Sequence, residues 1–270
     1  MKRHNLSLIL GGFLTLAMLL MILIGAFHTP YDTTAMDSEA ICQPPSAAHL
    51  MGTDQFGRDI FSRVLEGAGM SLWISLWVVA IGAAAGILLG SLCGYFGGVA
   101  DALLTRLCDA ITAFPSVLLA LVAISITGSG TSQIIYVLGI LFIPSFARVS
   151  RVAFARCRST NYIQSARLMG ASHGRILLCH ILPNTVPTLL PTIAIGFNNA
   201  ILSEASMSYL GIGVRPPNPS LGLMLSESQT YLRRAPWYAG FVGLTMVLLI
   251  LGFSLFGEGL QQRSRRNGGA

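Results

Sequence analysis

The chain alternates between long apolar runs and shorter polar segments. About 20 consecutive apolar residues are needed to cross the hydrocarbon core of a bilayer as an α-helix. A transmembrane barrel would instead show repeated segments of about ten residues with alternating polarity, which this chain does not have. The pattern therefore predicts an all-α integral membrane protein with about six transmembrane helices, at residues 6–27, 71–95, 103–127, 133–150, 185–206 and 238–257.

Composition agrees with this class. Of the 270 residues, 53% are hydrophobic and only 10% are charged, whereas a soluble domain carries about 25% charged residues. The first apolar run, Leu6–Phe27, follows Lys2 and Arg3. It is longer than the apolar core of a secretory signal peptide, which has about 7–15 residues. We therefore expect a retained first span with its N-terminus inside the cell.

Basic residues are distributed unevenly among the polar segments. With the N-terminus inside, the outer segments carry five of the 17 basic residues and the inner segments carry the other twelve. Because cytoplasmic loops carry an excess of Lys and Arg, this predicts that both termini and residues 150–184 are cytoplasmic. The arginines lie between apolar runs, so the net charge of +6 does not indicate nucleic-acid binding. The acid-free segment 150–184 suits the inner leaflet of the membrane or an acidic protein groove.

The polar segment between the fourth and fifth runs predicts two short helices. Asn161 is placed to cap the first helix, with Gln164 at the spacing of a capping box. Gly170 can end that helix in the left-handed conformation. Ser172 can cap the second helix, which Pro183 is expected to limit at its far end. A rigid pair of helices of this kind can transmit a displacement.

This segment resembles the cytoplasmic coupling loop of ABC-importer permeases, and the chain is similar to the permeases of the peptide/nickel class. The motif of that family reads Glu-Ala-Ala, three residues, Gly, about nine residues, then Ile-x-Leu-Pro or a close variant. Gln164 replaces the usual acid, so a salt bridge to the ATPase at that position is not implied. The resemblance implies that the ATPase is met by Gln164, Ser165, Ala166, Arg167, Gly170, Ile181, Leu182 and Pro183.

Further segments match the same class in order and spacing, and together they cover residues from about 50 to 261. They include the segment before the second span, the segment at its inner end and the segment that finishes the last span. The matching segments are 52–59, 94–98, 113–116, 204–206, 210–214, 235–237 and 256–260.

The resemblance implies a type I ABC importer transmembrane domain over 71–261. An N-terminal span and external loop over 1–70 would precede it, and a cytoplasmic tail over 262–270 would follow. The chain would be a multi-pass permease of the bacterial inner membrane that forms half of a pore. Implied partners are a second homologous permease, two ATP-binding subunits, an extracytoplasmic substrate-binding protein and membrane lipid. Lys2 is the only lysine, which excludes a P-loop, so we expect no cofactor in this chain and ATP with Mg²⁺ on the partners.

The substrate is less clearly indicated. Importers of this class handle peptides, nickel ions or nickel chelates, and no cluster of His, Met or Cys marks a metal path. We expect a peptide importer first and a nickel importer second. The alternatives from other classes are an ATP-independent secondary transporter or channel, and a membrane enzyme. The enzyme would need a nucleophile beside a base, and the sequence predicts no catalytic residue and no metal site.

Two features of the spans, a stripe of small residues and an intramembrane acid, each allow two interpretations. The second span has small residues spaced by four, which form one stripe on a helix and allow close approach of another helix. That helix could belong to this chain or to a partner permease. Glu204 lies near the outer end of the fifth span and is predicted either to pair with an outer arginine such as Arg215 or to act at a gate or on the pathway. The residues of the stripe are Gly82, Gly86, Gly90 and Gly94.

A charged cluster is expected at the inner start of the third span. Asp101, Arg106 and Asp109 lie close together in the sequence and predict an interfacial ion-pair network. His173 and His180 flank the second coupling helix, but they lack a third ligand nearby. A polar cytoplasmic surface is therefore the interpretation of these two histidines.

Overall fold

The computed structural model describes residues 2–267, with side chains from residue 8 to residue 262. Within residues 2–267, extended segments pair only at an isolated bridge between Thr53 and Asp59. The other regular structure is helical. The helices are α1 (Lys2–Phe27), α2 (Ile60–Phe96), α3 (Gly98–Thr112), α4 (Ser116–Thr127), α5 (Thr131–Arg158), α6 (Asn161–Leu168), α7 (His173–Arg175), a π-helical segment (Ile176–Ile181), α8 (Leu182–Tyr209), α9 (Leu221–Thr230) and α10 (Pro236–Asn267).

Five helices of the described chain are long and apolar enough to cross a membrane. They are α1, α2, α5, the continuous helix from α7 to α8, and α10. The bent pair α3–α4 brings the number to six if it forms one span. The predicted all-α membrane fold with about six spans is confirmed. The last helix continues to Asn267, so it includes most of the segment that was predicted as a tail; residues 268–270 lie outside the described residues.

The predicted third span, 103–127, is wrong as one continuous helix. α3 ends at Thr112, α4 begins at Ser116, and the two helices are bent by 87° at the break. Pro115 explains the break, because it has no backbone N–H for a helical hydrogen bond and its ring disfavours helical backbone at the preceding residue. Its own φ of −56° and ψ of 122° lie outside the helical region.

The glycine stripe of α2 packs on α5 of the same chain. A Cβ atom added at Gly86 would lie 2.7 Å from the carbonyl oxygen of Ile143 and 2.7 Å from the Cβ of Phe146. The other three glycines of the stripe approach α5 in a similar way. The absence of side chains therefore brings the two helices into backbone contact, and the stripe is occupied within this chain.

The first span lies along the last span. Met18 and Ile22 of α1 share an apolar core with Tyr238, Val242 and Leu249 of α10. The second helix begins at Ile60, so it includes the last residues of the segment 1–70. The domain boundary predicted at residue 70 stays a prediction.

A buried ion-pair network joins the loop between α1 and α2 to α9. Asp54 Oδ2 lies 2.7 Å from Arg58 Nε and 3.6 Å from Arg63 Nε. Glu227 Oε2 lies 3.4 Å from Arg58 and 3.5 Å from Arg63. The hydroxyl of Tyr238 donates to the same Glu227 oxygen at 3.0 Å. Because both arginines have carboxylate partners, their burial is compensated.

Candidate functional site

The coupling segment, defined here as residues 161–183, contains the predicted helix, glycine turn and helix. α6 ends at Leu168, and Gly170 follows with a φ of +81°. The N–H of Gly170 donates to Arg167 O, and the N–H of Ala171 donates to Ala166 O, both at 3.0 Å. This pair of bonds forms a Schellman motif, which satisfies carbonyl groups at the end of the helix. The prediction for Gly170 is confirmed.

The predicted cap at Asn161 is wrong by one residue. Asn161 is the first residue of α6, and the N-cap is Thr160, whose side chain makes no capping bond. The Thr160 hydroxyl donates instead to Cys157 O at 2.6 Å, at the end of α5. Gln164 uses its backbone N–H to reach Thr160 O at 3.2 Å, and its exposed side chain makes no capping box.

The second coupling helix has the predicted cap but not the predicted end. Ser172 Oγ accepts from the N–H of Arg175 at 3.4 Å. Pro183 does not end the helix, because the π-helical segment leads directly into α8 and Pro183 lies in the first turn of α8. The N–H of Leu182 donates to the carbonyl oxygen of Leu177, five residues earlier in the chain. This wider turn provides room for the proline ring, which would clash with the preceding turn of a regular α-helix.

Most of the motif residues are exposed, and only Ile181 is buried. Gln164, Ser165, Arg167 and Gly170 are exposed, and Ala166 is half-buried. At the other end Ile181 is buried, Leu182 is half-buried and Pro183 is exposed. Two apolar residues directly before Gly170 form a tip that is almost fully accessible: Leu168 is 90% exposed and Met169 is 83% exposed. Exposed large apolar side chains that lie together are typical of an interaction site.

The base of the coupling segment is held by an apolar cluster at the C-terminal ends of α2 and α5. Ile163 of α6 and the isoleucines of the π-helical segment fill it, so both short helices rest on one core. The buried members are Tyr95, Phe154, Ile163, Ile176 and Ile181.

Tyr95 makes the polar contacts of this cluster. It is 2% exposed, and its hydroxyl lies 2.8 Å from His173 Nδ1. The guanidinium carbon of Arg167 lies 5.1 Å from the centre of its ring, and Arg158 donates to its carbonyl oxygen at 3.0 Å. In the sequence, Tyr95 belongs to the matching segment 94–98 and carries no further signal. No local signal could identify its role, since His173 is 78 residues away.

A second contact joins α6 to α8. Asn184 Nδ2 donates to the hydroxyl oxygen of Tyr162 at 3.3 Å and to His180 O at 2.7 Å. Partial burial raises the pKa of the Tyr162 hydroxyl above its usual value, so that hydroxyl is protonated at neutral pH. In the part of the chain that the structure describes, no group of three or more His, Cys, Asp or Glu residues could hold a metal ion.

A cavity of about 760 Å³ lies between the α3–α4 elbow, α5 and α8. This volume falls in the range of sites for small molecules. No residue in its lining carries a formal charge. Its polar groups are hydroxyls and an amide, including Ser145 on α5 and Thr192, Asn199 and Ser203 on α8. The sequence does not predict this cavity, because its walls come from three separate parts of the chain.

The predicted ion pair between Glu204 and Arg215 is wrong. Glu204 is fully buried, and its Oε1 accepts from the Ser208 hydroxyl at 2.7 Å. The Arg215 guanidinium donates to the Ser129 hydroxyl instead. Glu204 is absent from the cavity lining, although its neighbour Ser203 is part of that lining. Its predicted role at a gate or on the pathway stays a prediction.

The charged cluster on α3 forms ion pairs, but its partners are on α5. Asp101 pairs with Arg151, with 2.7 Å between Oδ2 and Nη2, and Asp109 pairs with Arg148 at 3.3 Å. Arg106 is exposed, and the described residues include no ion pair that involves it. The predicted part of Arg106 in this network is wrong: it lies five residues from Asp101, on a different face of the helix, and Asp109 pairs with Arg148 instead.

This arrangement of helices defines the class of protein. The fold is similar to that of the MetNI methionine ABC transporter in an inward-facing conformation, with a TM-score of 0.60 and 20% sequence identity. The match covers 74% of this chain and 95% of that chain. The chain therefore has the fold of a type I ABC importer transmembrane domain.

The family follows from the sequence match. Residues 86–266 match the family described as the inner membrane component of binding-protein-dependent transport systems, and the chain belongs to this family. It is 38% identical over 252 residues to the glutathione transport system permease protein GsiD of Pectobacterium atrosepticum, covering 93% of this chain and 84% of that protein. It is 34% identical over 265 residues to the dipeptide transport system permease protein DppC of Haemophilus influenzae, covering 96% and 90%.

These comparisons confirm the resemblance to permeases of the peptide/nickel class. The chain is a permease component of an ABC importer of the inner membrane, and its fold is not that of an ATP-independent transporter.

Proposed function

We propose that this permease imports peptides or peptide-like solutes, and that the coupling segment transmits the work of partner ATPases to the cavity between α5 and α8. The observation that supports this proposal is the largely exposed segment Gln164–Gly170. It includes the accessible side chains of Leu168 and Met169, and it rests on a packed apolar base. An apolar tip on a rigid base fits the groove of another protein.

The proposed partners follow from the family and from what the chain lacks. A substrate-binding protein delivers the solute, and a second permease completes the pore. Two ATP-binding subunits hold ATP and Mg²⁺, since the only lysine of the chain is Lys2 and no P-loop is present. ATP on those subunits supplies the difference in affinity that shifts the permease between two states.

We place both termini in the cytoplasm. With this orientation, twelve of the 17 basic residues lie in cytoplasmic segments, including Arg167 and Arg175 of the coupling segment. This distribution agrees with the positive-inside rule. The basic side chains that support the assignment at the two ends lie outside the described side chains: Lys2, Arg3, Arg263, Arg265 and Arg266.

A peptide is favoured over a nickel ion by the chemistry of the cavity. Its lining offers hydroxyl and amide groups such as Asn199 and Ser203, which can exchange hydrogen bonds with amide groups of a solute. Metal ions of the nickel type are held by imidazole, thiolate or carboxylate groups, and none of these lines the cavity. Dipeptide and glutathione permeases are among the relatives, and both of those solutes contain peptide bonds.

The experiment is uptake by cells that lack this gene, with labelled dipeptide, glutathione and nickel supplied in parallel. We expect peptide or glutathione uptake to fall and to return with the wild-type gene. Gly170→Pro and a deletion of residues 164–170 should reach normal membrane levels without restoring uptake. Proline cannot adopt a φ of +81° and lacks the N–H that bonds to Arg167 O.

Two results would contradict the proposal. Loss of nickel uptake alone would make the substrate a metal or its chelate. Full uptake by the deletion variant would remove the coupling role from this segment.

A further inference from the structure

The coupling segment is connected to the two cavity walls in different ways. Its second helix runs without interruption through the π-helical segment into α8, which forms one wall. The other wall is α5, which packs on α2 along the glycine stripe. The first helix of the segment, α6, is likewise joined to α5 by residues 159–160. Movement of the coupling segment therefore reaches each wall through one end of the segment, and contacts across the glycine turn determine whether the two ends move together.

Tyr95 provides these contacts at the inner end of α2. One ring touches both short helices of the coupling segment, since its hydroxyl bonds to His173 of α7 at 2.8 Å and its face lies beneath Arg167 of α6. Its carbonyl oxygen accepts from Arg158 at the end of α5. α2, α6 and α7 thus meet at the Tyr95 side chain, and α5 bonds to its backbone carbonyl.

A path of direct contacts leads from α2 to the cavity. Gly86 on α2 lies against Ile143 and Phe146 of α5, with no side chain between the backbones. Phe146 and the nearby Ser145 belong to the cavity lining. Because closely packed helices transmit strain rather than absorb it, a displacement at the inner end of α2 reaches the α5 wall.

We propose that the hydrogen bond between Tyr95 and His173 is a latch that ties the α2–α5 pair to the continuous helix from α7 to α8, so that both walls of the cavity move together. The apolar cluster around Tyr95 defines this pairing less closely, because burial of apolar surface is non-directional. A hydrogen bond has a preferred distance and angle. Tyr95 and His173 are therefore positioning residues for transport, and this inference rests on the proposed function.

The test uses the whole importer, isolated from its own membranes through an affinity tag on this chain and reconstituted in vesicles. ATP hydrolysis and uptake of a labelled dipeptide are measured together. Tyr95→Phe keeps the ring but removes the hydroxyl. We expect ATP hydrolysis to persist while dipeptide transported per ATP falls by about five- to ten-fold, the scale of one lost hydrogen bond.

Tyr209→Phe is the matched control. It removes a tyrosine hydroxyl that donates to Gln229 Oε1 at 3.0 Å, at the far end of α8 from the coupling segment. Its ratio of transport to hydrolysis should stay near the wild-type value. If losing any tyrosine hydroxyl had a general structural effect, the ratio of transport to hydrolysis would fall in both variants alike.

His173→Phe provides an independent route to the same bond, since His173 is exposed and its replacement leaves the buried cluster intact. It should reproduce the lowered ratio, and the Tyr95→Phe/His173→Phe double variant should be no worse than either single variant, as for two partners of one interaction. Should Tyr95→Phe fail to assemble, His173→Phe decides the question.

An unchanged ratio in His173→Phe, or in an assembled Tyr95→Phe complex, overturns the latch. The proposed function fails separately, when the wild-type importer hydrolyses ATP but does not accumulate the dipeptide.

Discussion

At the scale of the residue, Gly170 shows how one backbone conformation shapes the coupling segment. Its φ of +81° closes the Schellman motif, and no heavy atom lies within 4 Å of the Cβ that a larger residue would add. Any penalty for alanine there therefore comes from the backbone and not from crowding. The left-handed conformation costs an L-residue about 1–2 kcal/mol.

We predict that Gly170→Ala loosens the turn and that Gly174→Ala does not. The site at Gly174 has equally open space but no positive φ, which makes it a matched control. Trypsin cleavage at Arg167 and Arg175 in inside-out vesicles measures the loosening. We expect cleavage to be about five- to 30-fold faster in Gly170→Ala, the range that corresponds to 1–2 kcal/mol. Equal cleavage of both variants would contradict the assigned role of the turn.

At the scale of the element, the pair α2–α5 depends on four positions without side chains. Close approach leaves no room at Gly86, where the neighbouring atoms belong to the backbone of Ile143 and the Cβ of Phe146. Neither of these atoms can rotate away. The helices must therefore separate if a side chain is inserted.

We predict that Gly86→Val lowers the stability of the detergent-solubilised protein by about 1–3 kcal/mol, the usual cost of overpacking. Ala84→Val is the control, because Ala84 is on the same helix and exposed. The midpoint of thermal unfolding should fall for Gly86→Val and remain unchanged for Ala84→Val. A normal midpoint for Gly86→Val would show that α5 does not occupy the stripe.

At the scale of the whole molecule, distant segments are joined by buried charges around the start of α2. Asp54 is fully buried and pairs with Arg58 and Arg63, while Glu227 reaches both arginines from α9. The pair Asp109–Arg148 is more than half exposed. A buried charge that loses its partner is costly, whereas an exposed pair contributes little.

We predict that Asp54→Asn destabilises the protein by about 3–5 kcal/mol, because it leaves two buried arginines with one carboxylate. Asp109→Asn should cost less than about 1 kcal/mol. Thermal unfolding of the two variants side by side measures the difference. Equal losses of stability in the two variants would mean that the buried network does not hold the loop between α1 and α2 to α9.

The sequence by itself determined the membrane class, the approximate spans and the local turns. Backbone groups in a bilayer must be paired internally, so long apolar runs have few outcomes besides helices. The glycine turn at Gly170 and the cap at Ser172 are also local, since their bonds join residues no more than five positions apart. Such features are encoded within one or two helical turns.

Only the tertiary structure decided which groups meet across the bundle. The partner of Asp101 is Arg151 rather than Arg106, and the partner of Tyr95 is His173. The glycine stripe was visible in the sequence, but its occupant was not. The 87° bend at Pro115 and the cavity beside it likewise depend on how the helices pack. The physical reason is that residue spacing defines the faces of one helix, whereas the packing of the whole chain selects what each face contacts.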